Sequence, residues 1–266
     1  MIPFLHLGPL SIPTYGLMVA IALLIAANLL QVDFNRHRAQ FLKKGYLKKG
    51  DEKSHGDEGF LVIGVIGVSG LLGARLYSVL ENPSELIANP SVLISRFGFT
   101  WSGSVITGLI ALVFLARHFR IPVLEFMDLC STPAALGYAI GRLGCLLSGD
   151  GDYGVPTNLP WGMSFPNGIV PTMERVHPTP VYEFIAGVII AAFLWRMGRK
   201  AIGGGGSNGE IFSAYLILTG IARFLVEFIR INPKVFHGMT NAQVVSLLSI
   251  FGGAILLWRI KRQAHS

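Results

Sequence analysis

The sequence predicts an all-α integral membrane protein of seven transmembrane helices, with its N-terminus outside and its C-terminus in the cytoplasm. Three observations carry this. Apolar residues make up 52% of the 266 and charged residues only 14%, against roughly 25% charged in soluble domains. Seven stretches approach the about 20 mostly apolar residues that a bilayer crossing takes. The connections between them alternate in basic charge, as the positive-inside bias produces. The whole chain, 1–266, reads as one transmembrane domain, with residues 149–180 forming a loop cap on its outer side.

The seven spans are Tyr15–Gln31, Phe60–Leu80, Thr100–Ala116, Phe126–Leu147, Val181–Met197, Ile211–Ile229 and Ala242–Ile260. All are expected to be helical, because an isolated strand cannot satisfy its backbone in lipid. The first connection, Asp33–Gly59, is long and holds all seven of the Lys and Arg found between Arg36 and Lys53. Glu81–Phe99 has only Arg96, whereas the short link after the third span has Arg117 and Arg120. Ser148–Pro180 has only Arg175, and Gly198–Glu210 opens with Arg199 and Lys200 before a Gly203–Gly206 run. The tail carries Lys261 and Arg262. A net charge of +7 would suggest a nucleic-acid partner in a soluble protein. Here most of the basic residues sit in alternate loops, although Arg230–Asn241 carries Arg230 and Lys234, so the positive-inside bias accounts for the charge better than that partner does and gives the orientation. No basic region precedes the first apolar run, so no cleavable signal peptide is expected. Cys130 and Cys145 both lie in apolar surroundings and imply no disulfide framework.

Two outer segments stand apart. Asn82–Gly98 is apolar in part but too short to span, which suits an interfacial or re-entrant segment. The loop over 149–180 carries six prolines, and loops of that length are usually functional or disordered. Trp161, Met163, Phe165 and Val170 favour a packed cap.

Arg75, Arg142, Arg223, Glu183 and Glu227 fall within apolar spans. Each ionisable residue at such depth costs about 2.5–3.5 kcal/mol on insertion scales, so these are expected to be paired or functional. Arg223 and Glu227 are four residues apart and share a helix face, which Arg230 continues. By the predicted topology Arg75, Arg142, Arg223 and Arg230 all approach the outer leaflet. Guanidinium groups at that depth suit a phosphate, whose oxygens match their fork, and an anionic phospholipid headgroup is the obvious ligand. Asp150 and Asp152 read either as a solvated Gly-rich turn or as a general base beside the arginines. Tyr15 and Tyr182 suit the aromatic belt, and His177 suits a loop surface. No His/Cys spacing reads as zinc, and neither a metal nor an organic cofactor is expected.

Gly141–Arg142–Leu143–Gly144, Ser148–Gly149–Asp150, Tyr153–Gly154 and Leu159–Pro160–Trp161–Gly162–Met163 together resemble the signature of the prolipoprotein diacylglyceryl transferase family. Tyr15–Gly16–Leu17–Met18, Gly73–Ala74–Arg75, His177–Pro178–Thr179–Pro180 with Tyr182–Glu183, and Arg223 with Val226–Glu227–Phe228 and Arg230 extend the resemblance in order over nearly the whole chain. The resemblance implies a multi-pass enzyme of the bacterial inner membrane with its site near the periplasmic leaflet. Its reaction moves the diacylglyceryl group of phosphatidylglycerol onto the lipobox cysteine of a preprolipoprotein, forming a thioether and releasing glycerol phosphate. It makes Arg142 and Arg223 phosphate binders, has Glu227 orient Arg223, and makes Tyr15, Asp150 and Glu183 essential or site-lining. Arg75, Arg230, Ser102, Gly149, Cys145 and His177 are the remaining candidates for substrate contact.

Four positions depart from the family pattern. Ser102 stands where the family often has histidine, Cys145 where it has asparagine, Asp150 where it has glutamate, and Thr219 where it has tyrosine. Serine is a poor base at neutral pH, so proton removal falls to Asp150, Asp152, His177 or water. Two alternatives accompany the reading: a divergent homologue with altered lipid or acceptor specificity, and a transporter of small anions or lipids that uses the same arginines.

Overall fold

The computed structural model describes residues 1–46, 56–81, 100–200 and 208–264. The expected interfacial segment Asn82–Gly98 and the Gly203–Gly206 run lie outside the described residues. Among the described residues the chain forms seven α-helices: α1 Thr14–Lys43, α2 Glu58–Glu81, α3 Trp101–His118, α4 Val123–Ser148, α5 Thr179–Lys200, α6 Glu210–Val226 and α7 Asn241–Ala264. Five of them, α1, α2, α5, α6 and α7, are long and apolar enough to cross a membrane. α3 is shorter, and α4 runs for 26 residues while carrying Glu125, Asp128 and Arg142.

The helices outrun the apolar stretches. α1 continues from Gln31 to Lys43, through what the sequence suggested was loop. Charge ends an apolar run but does not end a helix, because Arg, Lys and Gln are good helix formers. The extension is also anchored by packing, since Phe34 and Phe41 are fully buried. At 30 residues and 1.5 Å per residue, α1 is about 45 Å long, more than the about 30 Å of a hydrocarbon layer.

The chain divides into two compact units. One comprises Leu30–Phe126. Within it α2 and α3 approach through small residues: Ser104 Oγ donates to the Gly70 carbonyl (3.0 Å) and Thr107 Oγ1 to that of Ser69 (2.8 Å). A Cβ on Gly103 would lie 2.2 Å from the Gly73 carbonyl oxygen, so this crossing tolerates no side chain. Such small-residue contacts let helices approach closely where lipid removes the hydrophobic drive to associate. The polar end of the unit is tied by Arg38–Glu58 (2.7 Å) and Lys44–Glu125 (2.6 Å). On α2 and α3 the side chains of Val68, Leu71, Leu72, Leu76, Ile106, Ile110 and Phe114 stand exposed, as apolar ridges that lipid would cover.

The other unit comprises Met1–Leu29 and Met127–Ser266. Its helices use the same device. A Cβ on Gly187 of α5 would come 2.8 Å from Ala139 of α4, and one on Gly253 of α7 would come 2.8 Å from the Ser213 carbonyl of α6. Ala135, Ile190, Ala191 and Leu194 form a buried cluster against which Tyr215 and Leu218 of α6 pack. Asp128 of α4 accepts from the backbone N–H of Gly209 (2.6 Å) and of Phe212 (2.7 Å). It thereby satisfies donors that the first turn of α6 leaves open.

Among the described residues two short hairpins lie outside the helices, and neither follows from the hydropathy of the sequence. β1 (Phe4–Leu7) pairs antiparallel with β2 (Leu10–Pro13) just before α1. Ile2 N–H then donates to the Leu147 carbonyl (3.1 Å), fastening the N-terminal segment to the end of α4. β3 (Met163–Phe165) pairs antiparallel with β4 (Thr172–Val176) inside the long loop. Tyr153, Phe165 and Val176 are buried together with Met1, Leu146 and Met163 against them. The loop is therefore packed over its own small core, although Trp161 and Val170, two residues that suggested this, stand exposed.

Candidate functional site

Four segments of the larger unit converge on one cluster of charges. Arg142 comes from the last two turns of α4, Glu183 from the first turns of α5, and Arg223 from the last turn of α6. Glu227 lies in a 3-10 turn, Glu227–Ile229, that follows α6. Arg230 follows that turn in extended conformation. The expected α-helical stripe from Arg223 to Arg230 is thus broken at Val226. The tighter turn still keeps Arg223, Glu227 and Arg230 on a common side.

Glu183 holds the centre. Its Oε1 accepts from Arg223 Nη1 at 2.7 Å and from the Tyr138 hydroxyl at 2.5 Å. Its Oε2 lies 3.5 Å from Arg142 Nε and 3.4 Å from Arg230 Nη1. Glu227 Oε2 lies 2.9 Å from Arg223 Nη2 and 3.7 Å from Arg230 Nε. Asp152 closes the ring, one carboxylate oxygen on Arg142 Nη1 and the other on Arg230 Nη2. Three guanidinium groups face three carboxylates. Glu183 and Glu227 side chains are 4% and 0% exposed, and that of Asp152 is 31% exposed.

Buried ion pairs of this kind survive only with good geometry and further hydrogen bonds. Here Tyr138 supplies one such bond, and its ring also lies 4.8 Å beneath the Arg142 guanidinium, a cation–π contact. Asn232 donates to Glu227 Oε1 at 2.6 Å. Tyr138 was not among the sequence candidates. The signal was its place four residues before Arg142, one turn away on the same helix face. Thr219, one turn before Arg223, spends its hydroxyl on the Tyr215 carbonyl (2.6 Å).

The start of the cap places the remaining acids. Gly149 and Gly151 adopt φ of +59° and +95°, which a side chain would strain. Gly149 also meets Gly168 backbone to backbone, where a Cβ would come within 2.7 Å. This tight reversal puts Asp150 beside Cys145 and Asp152, with the Asp152 N–H donating to Asp150 Oδ1 at 3.2 Å. Burial pushes the Asp150 carboxyl above the usual carboxylate range and the charge of Asp152 adds to this, while a hydrogen bond with Cys145 opposes it. Burial acts on Asp152 in the same sense, but Arg230 and Arg142 outweigh it and hold that carboxyl below the usual range. Two neighbouring acids are therefore driven apart in basicity, a pattern that separates acid and base roles. Cys145, Asp150 and Asp152 offer ligand atoms within 4.8 Å of one another. Two guanidinium groups already claim Asp152, so a cation there would face direct competition.

The cap is stitched to the end of α6. Val155 N–H donates to the Ile229 carbonyl (2.8 Å), Gly154 N–H to that of His177 (2.9 Å), and Gly154 pairs with Arg230. A Cβ on Gly154 would sit 2.4 Å from the Ile229 oxygen.

Of the sequence candidates, Arg142, Arg223, Arg230, Glu183 and Glu227 are brought together, with Asp150, Cys145 and Gly149 beside them. Arg142 Nη1 lies 3.9 Å from Cys145 Sγ. Tyr15, half exposed at the start of α1, abuts Gly144, where a Cβ would be 3.2 Å from its ring. His177 Nδ1 lies 3.2 Å from the Tyr182 hydroxyl, which accepts from Trp161 Nε1 at 2.8 Å. Arg75, buried on α2, and Ser102, exposed on α3, belong to the smaller unit.

Comparison with known proteins bears on this arrangement. A family model described as prolipoprotein diacylglyceryl transferase matches residues 3–259. A Clostridium tetani protein named phosphatidylglycerol–prolipoprotein diacylglyceryl transferase is 33% identical over 256 residues, covering 95% of this chain and 94% of the relative. One of the same name from Trichormus variabilis is 32% identical over 267 residues, with 97% and 89% covered. A Clostridium perfringens relative, bearing that name with the suffix 2, is 28% identical over 258 residues, with 95% and 92% covered.

Proposed function

The chain belongs to the prolipoprotein diacylglyceryl transferase family, and on that premise we propose that it transfers the diacylglyceryl group of phosphatidylglycerol to the lipobox cysteine thiol of preprolipoproteins. A thioether forms and glycerol phosphate leaves. The observation that carries this reading to particular residues is the ring of Arg142, Arg223 and Arg230 around Glu183.

The chemistry asks for little beyond placed charge. The cysteine sulfur attacks the glycerol carbon that bears the phosphate, the C–O bond breaks, and the bonding pair stays with the phosphate oxygen. The phosphate passes from a singly charged diester towards a doubly charged monoester. Fixed guanidinium groups therefore stabilise the transition state more than the bound lipid. Arg142, Arg223 and Arg230 together hold the phosphate, and Glu183 and Glu227 keep all three in register. Glu227 thereby orients Arg223. The thiol proton must go somewhere, since the thiolate is the effective nucleophile. Asp150 takes it: its carboxyl is pushed up in basicity and stands at the head of the loop, next to the arginines. Tyr15, Cys145 and Gly149 line the same place. Arg75, Ser102 and His177 stay candidates for substrate contact, and Ser102 is not the base. No step calls for a metal or organic cofactor.

The proposal includes a setting. The protein forms one transmembrane domain of seven spans in the bacterial inner membrane, N-terminus outside, with residues 149–180 as a periplasmic cap. The arginines then face the outer leaflet, where phosphatidylglycerol and the lipobox meet without leaving the membrane. The relatives carry a transferase name, so the transporter reading is set aside.

Complementation tests the proposal. Expression of the chain should restore growth and lipoprotein maturation in a bacterium depleted of its own transferase, and the Arg142→Ala and Arg223→Ala variants should insert without restoring either. Failure of the unmodified chain to restore maturation would contradict the reading.

A further inference from the structure

The three arginines have no charge to spare. Each already lies within 4.0 Å of at least two carboxylate groups: Arg142 against Asp152 and Glu183, Arg223 against Glu183 and Glu227, and Arg230 against all three. Adding a phosphate ester to this ring would set four acidic groups against three guanidinium groups in a place largely closed to water. Like charges so arranged repel strongly at low dielectric. One carboxylate must therefore give way when the phosphate enters.

Glu183 and Glu227 are poorly suited to leave. Both are buried, 4% and 0% exposed, and each is anchored by neutral donors, Tyr138 and Asn232, as well as by arginines. Asp152 differs on every count. It sits on a loop, its side chain is 31% exposed, and among the described residues its two oxygens pair with Arg142 and Arg230 and with no neutral donor. Its backbone is held, because Thr179 Oγ1 donates to the Asp152 carbonyl at 2.6 Å. The short side chain can thus rotate outward while the loop stays in place. It also bridges the two guanidinium groups in the manner a phosphate would, one oxygen to each.

We propose that Asp152 is a placeholder anion: its carboxylate occupies the position between Arg142 and Arg230 that the substrate phosphate takes, and it rotates aside when a phosphate ester binds. In the resting site it keeps the two guanidinium groups paired and aimed. After reaction its return competes with glycerol phosphate for the same two arginines and helps expel the product. The assignment deepens the transferase reading and rests on it for the identity of the ester.

The test uses the full-length protein in detergent micelles with two phosphate sources. Inorganic phosphate binding is read by calorimetry, and phosphatidylglycerol is read through transfer to a lipobox peptide. In Asp152→Asn the phosphate dissociation constant, the KM for phosphatidylglycerol and the inhibition constant of glycerol phosphate should each fall about tenfold, the effect of removing one charge-assisted competitor. Asp152→Glu retains the anion and should bind phosphate no more tightly than the unmodified chain. Weaker or unchanged phosphate binding in Asp152→Asn would overturn the proposal, since a residue that merely braces the arginines would loosen the site when removed. If Asp152→Asn does not fold, Asp152→Glu decides: tighter phosphate binding there would overturn the placeholder role. If the unmodified chain transfers nothing from phosphatidylglycerol, the transferase reading fails by itself, and the inorganic phosphate arm still judges Asp152.

Discussion

Glu183 touches Arg142, Arg223, Arg230 and Tyr138 at once, so it is the residue whose removal should spread furthest. Deleting one partner of a buried ion pair leaves an uncompensated charge and costs about 3–5 kcal/mol. Glu183→Ala is therefore expected to lower thermal stability in detergent by an amount in that range and to abolish transfer. Glu183→Gln, which keeps the shape, should retain more stability than activity. An active, undestabilised Glu183→Ala would show that the ring is incidental. Asp150 is read by pH. As a base it works deprotonated, so the rate should fall as pH drops through its carboxyl pKa. Burial raises that pKa, so the fall should begin above the about 3.9 of an ordinary aspartate. Asp150→Asn should cut the rate by about 100-fold or more, in line with general-base contributions, and flatten this acid limb. A near-normal rate would move the base elsewhere. The arginines and glutamates inside the spans were legible in the sequence because charge inside an apolar run is conspicuous. Tyr138 was not, since a tyrosine in such a run looks like any interfacial aromatic. Asp152 was visible only as an alternative base, because nothing in the spacing of two acids tells which will meet an arginine.

At the scale of elements, the decisive join is between the cap and the end of α6. Gly154 lies against Ile229, and on either side of that contact stand Asp152 and Arg230. Gly154→Ala forces a Cβ to 2.4 Å from a backbone oxygen, and such overpacking costs about 1–3 kcal/mol. The expected outcome is a lower melting temperature together with a fall in transfer of at least about tenfold, because Arg230 is pushed out of register with Glu183. Unchanged values in both assays would mean the join is soft. The helices themselves were legible from apolar length. Their polar extensions, as in α1 beyond Gln31, were not, because hydropathy marks where lipid ends and not where helical hydrogen bonding ends. The two hairpins escaped for a different reason. Strands of three to five residues carry too few positions for alternation to register, and they exist here through contacts such as Ile2 to Leu147 that are remote in sequence.

At the scale of the whole molecule, this is a multi-pass membrane protein of the prolipoprotein diacylglyceryl transferase family. The proposed orientation makes a separate prediction. A cysteine introduced at exposed Asn158 in the cap should react with a membrane-impermeant maleimide added to intact spheroplasts. One introduced at Lys261 near the end of α7 should react only after permeabilisation. Cys130 and Cys145 are buried and should contribute little background. The reverse pattern would invert the topology and place the arginines at the wrong leaflet. Composition and loop charge made the membrane class legible without any structure, whereas the assembly of four separate segments into one ring depends on tertiary packing that no local pattern encodes. The central claim, that this ring catalyses transfer from phosphatidylglycerol to a thiol, is tested most directly by the mass of a lipobox peptide incubated with the purified protein and that lipid. The account predicts a gain of one diacylglyceryl group per cysteine with matching release of glycerol phosphate, and no gain with Arg142→Ala. A folded, unmodified protein that leaves the peptide mass unchanged, or an Arg142→Ala variant that transfers at full rate, would contradict it.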